Sequence, residues 1–159
     1  DFIYGLNLNL EYKNFDFTLF LQGVQNVDII NDVKKHTDFW SVVDTYSNKG
    51  RRLLDAFDPV TNPDSDIPSV AYTDDNSEGR MSTYYVENGS YLKLRNVQLG
   101  YTLPKEVSER IKLSKLRLYV SGQNLFTIKS KSFTGKDPEN PNYGYPIPIT
   151  FTMGLNASF

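Results

Sequence analysis

The sequence predicts an all-β protein in which five antiparallel strands form part of a transmembrane β-barrel wall. Apolar and polar residues alternate along five separate segments, and this period of two is that of a strand with one apolar and one polar face. The final segment, residues 149–159, keeps the alternation at every position. Aromatic residues make up 14% of the chain, and outer-membrane barrels place such residues where the wall meets water.

Composition narrows the functional classes further. The sequence has no run of 18 or more apolar residues, so it predicts no membrane-spanning helix. A formal net charge of -2 gives no electrostatic reason to expect a nucleic-acid partner. The chain contains no cysteine, which excludes a disulfide framework and a thiolate metal site. It begins without the pattern of a signal peptide, so on the barrel interpretation we expect it to be a piece of a longer protein.

The first two strands are predicted to form a hairpin over residues 2–12 and 15–23. Even positions of the first segment are apolar from Phe2 to Tyr12, and the odd positions are mostly polar. Lys13 and Asn14 separate the two segments, and asparagine tolerates the left-handed backbone that tight turns need. Phe20 is the one residue of the second segment that breaks the alternation.

A long connection follows at residues 24–90, where the alternation stops and Asp, Asn, Ser and Pro accumulate. Connections of this length are uncommon in compact domains and are usually functional or disordered. Within it, residues 38–57 have the spacing of one or two short helices, with Asp38 as the expected N-cap.

The third and fourth strands are predicted at residues 91–103 and 115–128. In the third, the apolar phase reverses part-way, so that Lys93 and Arg95 fall in phase with the apolar positions of the lower half. One extra residue in a bulge would swap the faces in this way, and a strand that rises beyond the bilayer would give the same pattern. Pro104 ends this strand, and a short connection with about one helical turn leads to the next.

The fifth strand, residues 147–159, follows a second long loop at 129–146. With these strands, the loops 24–90 and 129–146 fall on one side of the sheet and both short connections fall on the other. Transmembrane barrels have long outer loops and short periplasmic turns, so we expect the two long loops to lie outside the cell. Five strands cannot close a barrel, and open edges are not tolerated in lipid, so we expect neighbouring strands from further sequence.

Three segments carry a family resemblance: YLKLRNVQLGYT (91–102), KLRLYVSGQNLFT (115–127) and FTMGLNASF (151–159). They resemble the C-terminal signature of the SusC/RagA-like TonB-dependent outer-membrane transporters. The resemblance implies a 22-stranded barrel in the bacterial outer membrane, of which this chain would be the C-terminal five strands. It also implies an N-terminal plug, a SusD-like surface lipoprotein as partner, energy from the TonB complex, and import of glycans or peptides.

The resemblance and the residue pattern together suggest three sets of functional residues. The final strand would be the signal for the barrel-assembly machinery, through Phe151, Met153, Leu155 and Phe159. Lys93 and Arg95, if they face outward near the outer rim, could bind lipopolysaccharide phosphates, whereas a bulge would turn both toward the wet interior. Aromatic residues of the outer loops could contact the ligand or the lipoprotein; these are Trp40, Tyr46, Tyr84, Tyr85, Phe133, Tyr143 and Tyr145.

No group of residues has the arrangement of a catalytic, cofactor or metal site, so we expect no enzyme and no cofactor. The single histidine, His36, lacks a second histidine or a cysteine for zinc and a paired nucleophile for a triad. Two other functions stay open: a soluble all-β carbohydrate-binding module with its apolar faces packed inward, and a barrel that is not a transporter, such as an adhesin or porin.

Overall fold

The computed structural model describes residues 1–39, 42 and 48–159, which fall into two compact units. The sheet unit comprises Asp1–Val27, Ser90–Ser130 and Ile147–Phe159, and the loop unit comprises Asp28–Gly89 and Lys131–Pro146. In chain order the elements are β1 (Phe2–Tyr12), β2 (Phe15–Gln25), β3 (Asp28–Ile30), α1 (Val33–Thr37), 3₁₀ helices at Arg51–Asp55 and Thr83–Tyr85, β4 (Val86–Asn88), β5 (Tyr91–Thr102), α2 (Lys105–Arg110), β6 (Lys115–Lys129) and β7 (Thr150–Ser158).

The five-stranded antiparallel sheet expected from the alternation is confirmed. Its strand order is β1-β2-β5-β6-β7, so each strand pairs with the next long strand along the chain. Because directly opposed residues share a face, the pairing aligns apolar residues in rows across the sheet. One row runs through Leu8, Leu19, Val97, Gly122 and Phe151, and the next runs through Leu10, Phe17, Leu99, Val120 and Met153.

The apolar face of this sheet is not packed into a core. Leu6, Leu118 and Leu155 are 55%, 45% and 64% exposed. A soluble sandwich would bury such a face against a second sheet, and in the described residues nothing covers it. The opposite face carries rows of polar side chains, such as Asn9, Thr18 and their partners. The sheet therefore has the two-faced character of a barrel wall.

A β-bulge in β5 explains the reversed phase in its upper half. Leu94 pairs with Leu21 and Asn96 with Phe20, which leaves Arg95 as the extra residue of β5. The bulge puts Leu94 on the apolar face, opposite Leu21 and Phe126. On the facing strand β6, the register also shifts near Asn124, whose φ is 53°.

Of the two orientations left open for Lys93 and Arg95, the outward one is wrong, because this bulge turns both side chains toward the polar face. Lys93 lies directly opposite Gln22 and Thr127, on the polar face, and is only 1% exposed. Arg95 Nε donates a hydrogen bond of 2.8 Å to Oε1 of Gln22 on that same face. Both cations thus point away from the apolar face, and the expected contact with lipopolysaccharide loses its geometric basis.

Short connections join β1 to β2 and β5 to β6. Lys13 has a φ of 54° in the turn between β1 and β2, and the Asn14 side-chain amide donates a 2.9 Å hydrogen bond to the Thr102 carbonyl. The connection between β5 and β6 contains α2, one short helix after Pro104. No helix among the described residues is long and apolar enough to cross a membrane.

The loop unit has a small core of its own, which the sequence did not predict. β3 and β4 form a two-stranded antiparallel sheet, and Phe39, Ile67, Tyr85 and Phe133 are buried. Of the helices expected at 38–57, the part at residues 40, 41 and 43–47 lies outside the described residues, and the 3₁₀ helix Arg51–Asp55 is described. Asp38 itself follows the end of α1, and its backbone N–H donates to the Lys34 carbonyl. Its carboxylate accepts bonds from side chains, as described below.

Candidate functional site in the loop unit

The aromatic residues predicted as loop contacts separate into two groups. Tyr85 and Phe133 are 0% and 3% exposed, and Tyr84 is half-buried, so these three residues pack the loop unit. Tyr143 and Tyr145 are 58% and 96% exposed and are available to a ligand or partner. The other two predicted contacts, Trp40 and Tyr46, lie outside the described residues.

A buried carboxylate, Glu87 on β4, joins the two segments of the loop unit. Its Oε1 lies 3.0 Å from Nζ of Lys34 on α1 and accepts a 2.8 Å bond from the Thr134 hydroxyl. Its Oε2 accepts bonds from the Asn31 side-chain amide at 2.8 Å and from the Thr134 backbone N–H at 2.9 Å. Lys34 and Glu87 are both buried. The carboxylate therefore ties residues 28–89 to residues 131–146.

A second buried carboxylate, Asp38, fixes the segment that follows α1. Its Oδ2 lies 2.7 Å from Nη1 of Arg52 and accepts a 2.7 Å bond from the Tyr84 hydroxyl. The Thr37 hydroxyl donates to its Oδ1 at 2.8 Å. Burial and this bond to Asp38 raise the pKa of the Tyr84 phenol. Asp38 thus connects α1 with both 3₁₀ helices.

The environment of Glu87 shifts its pKa in two opposing ways. Burial raises the pKa of the carboxyl, but the hydrogen bonds from Thr134, Lys34 and Asn31 outweigh that effect and lower it below 4.5. Burial also raises the pKa of Tyr85 to about 12, and the neutral Tyr85 hydroxyl donates to the Glu78 carbonyl. The core of the loop unit therefore contains an ionised carboxylate and neutral phenols at pH 7.

A cleft of about 460 Å³ opens between α1 and residues 136–146. Val33 and Thr37 contribute the α1 side. The opposite side comprises Lys136, Asp137, Asn140, Asn142, Tyr143, Gly144, Tyr145 and Pro146. The ring of His36 stacks on Tyr143 with 3.8 Å between centroids and 14° between planes. Among the described residues, no group of three or more potential metal ligands comes together.

The chain is similar over its whole length to TonB-dependent receptors. It is 36% identical over 178 residues to TonB-dependent receptor P3 of Formosa agariphila and 29% identical over 167 residues to TonB-dependent receptor SusC of Bacteroides thetaiotaomicron. All of this chain is aligned, but only 16% and 15% of those two proteins. No family model matches the chain.

Solved structures lead to the same family. The RagAB peptide transporter superposes with a TM-score of 0.76 at 26% identity, covering 98% of this chain and 17% of the transporter chain. The RagAB peptide importer in its open-open state gives 0.78 at 25% identity, with 99% and 17% covered. This chain matches the C-terminal part of a SusC/RagA-like TonB-dependent receptor. It spans 15–17% of the length of these relatives.

The last strand, β7, contains most of the residues predicted to signal barrel assembly. Phe151, Met153 and Leu155 lie on the apolar face and are exposed, and Phe159 follows the end of β7. Among the described strands, β7 pairs only with β6, so its other edge is open. An exposed apolar stripe beside an open strand edge could bind another strand.

Sequence reasoning missed most residues that shape the loop unit. Glu87, Lys34 and Asn31 are isolated polar residues in irregular sequence, and nothing in their local pattern indicates that they meet. The cleft residues Val33, Thr37 and Lys136 were missed for the same reason. Among the residues that line the cleft, only Tyr143 and Tyr145 had been singled out from the sequence, as aromatic residues of a long loop, and loops commonly carry binding residues.

Proposed function

We propose that this chain forms the C-terminal five strands of a 22-stranded outer-membrane barrel that imports glycans or peptides. In this proposal an N-terminal plug closes the barrel, a SusD-like lipoprotein covers it from outside, and the TonB complex supplies the energy. The chain's own contribution is a piece of the barrel wall and, in the loop unit, a piece of the outer surface. The relatives named above support the family, and the RagAB structures are by their titles peptide transporters.

The uncovered apolar face of the sheet carries the proposal. Apolar rows cross all five strands without interruption by a charged side chain, and the polar rows lie on the other face. Each strand has 9 to 15 residues, enough for the roughly 9–11 residues that a tilted strand needs to cross a bilayer. Because β1 and β7 each have one open edge in the described chain, further strands of the same barrel must pair with them in lipid.

The loop unit supports the proposed contact with ligand and lipoprotein. It comes from the two long connections, which in transmembrane barrels lie outside. The buried bonds of Glu87 and Asp38 hold it in one conformation, so Tyr143 and Tyr145 are presented from a rigid support. A rigid support lowers the entropy cost of binding.

Uptake by the full-length receptor tests this function. We expect the receptor in the outer-membrane fraction, and we expect growth on one member of a panel of oligosaccharides and peptides to require both the receptor and a working TonB complex. A strain with the receptor gene deleted and then restored is the control. Recovery of the receptor in the soluble fraction, or uptake that is unchanged without TonB, would contradict the proposal.

We further propose that β7 with Phe159 is the assembly signal of this barrel. Replacing Phe159 with alanine should slow the appearance of heat-modifiable folded receptor in a pulse-chase experiment, because the aromatic ring is fully exposed and free to bind the assembly machinery. Ser158→Ala, one residue earlier, is the control and should assemble at the normal rate. Equal assembly rates for both variants would show that Phe159 has no such role.

A further inference from the structure

We propose that the cleft between α1 and residues 136–146 binds a neutral sugar residue. The role of this site in nutrient import rests on the function proposed above, but the binding itself can be measured without transport.

The cleft has the size and walls of a small-molecule site. Its volume of about 460 Å³ falls within the roughly 300–1,000 Å³ of typical ligand pockets. Val33, Pro146 and the two tyrosines Tyr143 and Tyr145 give it apolar surface. The His36 ring covers one face of Tyr143 at 3.8 Å, which fixes the orientation of that tyrosine. Flat aromatic faces suit the apolar C–H face of a sugar ring.

The polar groups at the cleft match a ligand that is neutral and rich in hydroxyl groups. Lys136 and Asp137 have opposite charges, so their contributions cancel and favour neither an anion nor a cation. Asn140 and Asn142 each offer an amide that can both donate and accept, as hydroxyl groups do. Asn140 also donates a 3.2 Å bond to the Tyr145 carbonyl, which holds the loop that presents Tyr145.

Gly144, between the two tyrosines, borders space that the described residues leave empty. A Cβ added at Gly144 would have no atom within 4 Å. Its φ does not lie in the left-handed region, so the backbone does not demand glycine either. A bulky side chain at the exposed Gly144 would therefore enter open space without disturbing the packing of the loop unit, which makes this position suitable for blocking a ligand between Tyr143 and Tyr145.

A peptide is less well matched to this cleft. Extended peptides are commonly bound by addition to an exposed strand edge, and the lining residues lie in α1 or in the irregular segment 136–146 and not in a strand. A peptide terminus would need a net charge of the opposite sign, which the Lys136 and Asp137 pair does not supply. The chemistry of the cleft therefore favours a sugar over a peptide.

Calorimetric titration of the purified full-length receptor, with its lipoprotein if they purify together, tests this site. The probes are the neutral disaccharides maltose, cellobiose and lactose, and trialanine as the peptide. We expect a disaccharide to bind and Tyr145→Ala to raise its Kd by at least about tenfold, the loss typical of an aromatic hot-spot residue. Gly144→Trp, which fills the empty space, should abolish binding. Tyr72→Ala removes an exposed tyrosine of the loop unit that does not line the cleft and should bind normally.

Three results would overturn the inference: no disaccharide binds the wild-type receptor, trialanine alone binds, or Tyr145→Ala binds the disaccharide as tightly as Tyr72→Ala does. The Tyr145→Ala arm decides the outcome even if Gly144→Trp fails to fold. Measuring uptake as well distinguishes a failure of the cleft proposal from a failure of the proposed import function. TonB-dependent uptake without sugar binding at the cleft contradicts only the cleft, whereas sugar binding that responds to Tyr145→Ala in a receptor without uptake contradicts only the import function.

Discussion

Replacing Leu19 with arginine is expected to prevent most of the receptor from folding into the outer membrane. Leu19 lies near the middle of β2, in the apolar row between Leu8 and Val97. If this face contacts lipid, an arginine there must bring its charge into the hydrocarbon. Such a substitution costs about 2–4 kcal/mol at the bilayer midplane of a barrel, a large fraction of the 5–15 kcal/mol by which proteins are stable.

The neighbouring residue provides the matched control. Thr18 precedes Leu19 and faces the opposite side, in the polar row with Asn9 and Gln98. Thr18→Arg adds the same side chain to the polar face and should leave the yield of heat-modifiable receptor close to normal. Folding into lipid vesicles followed by urea unfolding measures both free energies. If Leu19→Arg and Thr18→Arg lower the free energy of unfolding equally, the apolar face of the sheet does not contact lipid.

Local alternation was sufficient to predict the sheet because strand periodicity depends only on near neighbours in sequence. The prediction of a strand at residues 2–12 matches β1 at Phe2–Tyr12, and the structure begins β7 three residues later than expected, at Thr150. The pattern also indicated a bulge in β5. The pattern left open the side to which Lys93 and Arg95 point, since that side depends on which residue is left unpaired opposite Phe20 and Leu21.

The loop unit could not be predicted because its contacts join residues far apart in the chain. Glu87 meets Lys34 and Thr134, 53 and 47 residues away. No short window of sequence contains such a set. The aromatic residues of the loops all gave the same signal, yet Tyr85 and Phe133 form the core while Tyr145 is exposed. Burial is a property of the tertiary fold, so residue type alone could not separate binding surface from packing.

Replacing Glu87 with alanine should destabilise the folded loop unit by about 3–5 kcal/mol. This is the cost typical of removing one partner of a buried ion pair, because the Lys34 ammonium then stays buried without its carboxylate. The donors Asn31 and Thr134 also lose their acceptor. Hydrogen exchange should therefore speed up in both segments of the loop unit, near α1 and near Thr134, while β5 and β6 stay protected.

An exposed pair of the same two residue types is the control for Glu87→Ala. Glu109 lies 3.6 Å from Lys105 on α2, where both side chains are largely exposed, and Glu109→Ala should change stability by less than about 1 kcal/mol.

The pH dependence of hydrogen exchange is a second measurement of the role of Glu87. Because folding lowers the pKa of Glu87, its stabilisation is complete above pH 4.5 and is lost as the pH falls through the lowered pKa. The difference in exchange between wild type and Glu87→Ala should therefore shrink in acid. A difference that is constant from pH 7 down to the pH at which the wild type unfolds would show that the charge of Glu87 does not hold the two segments together.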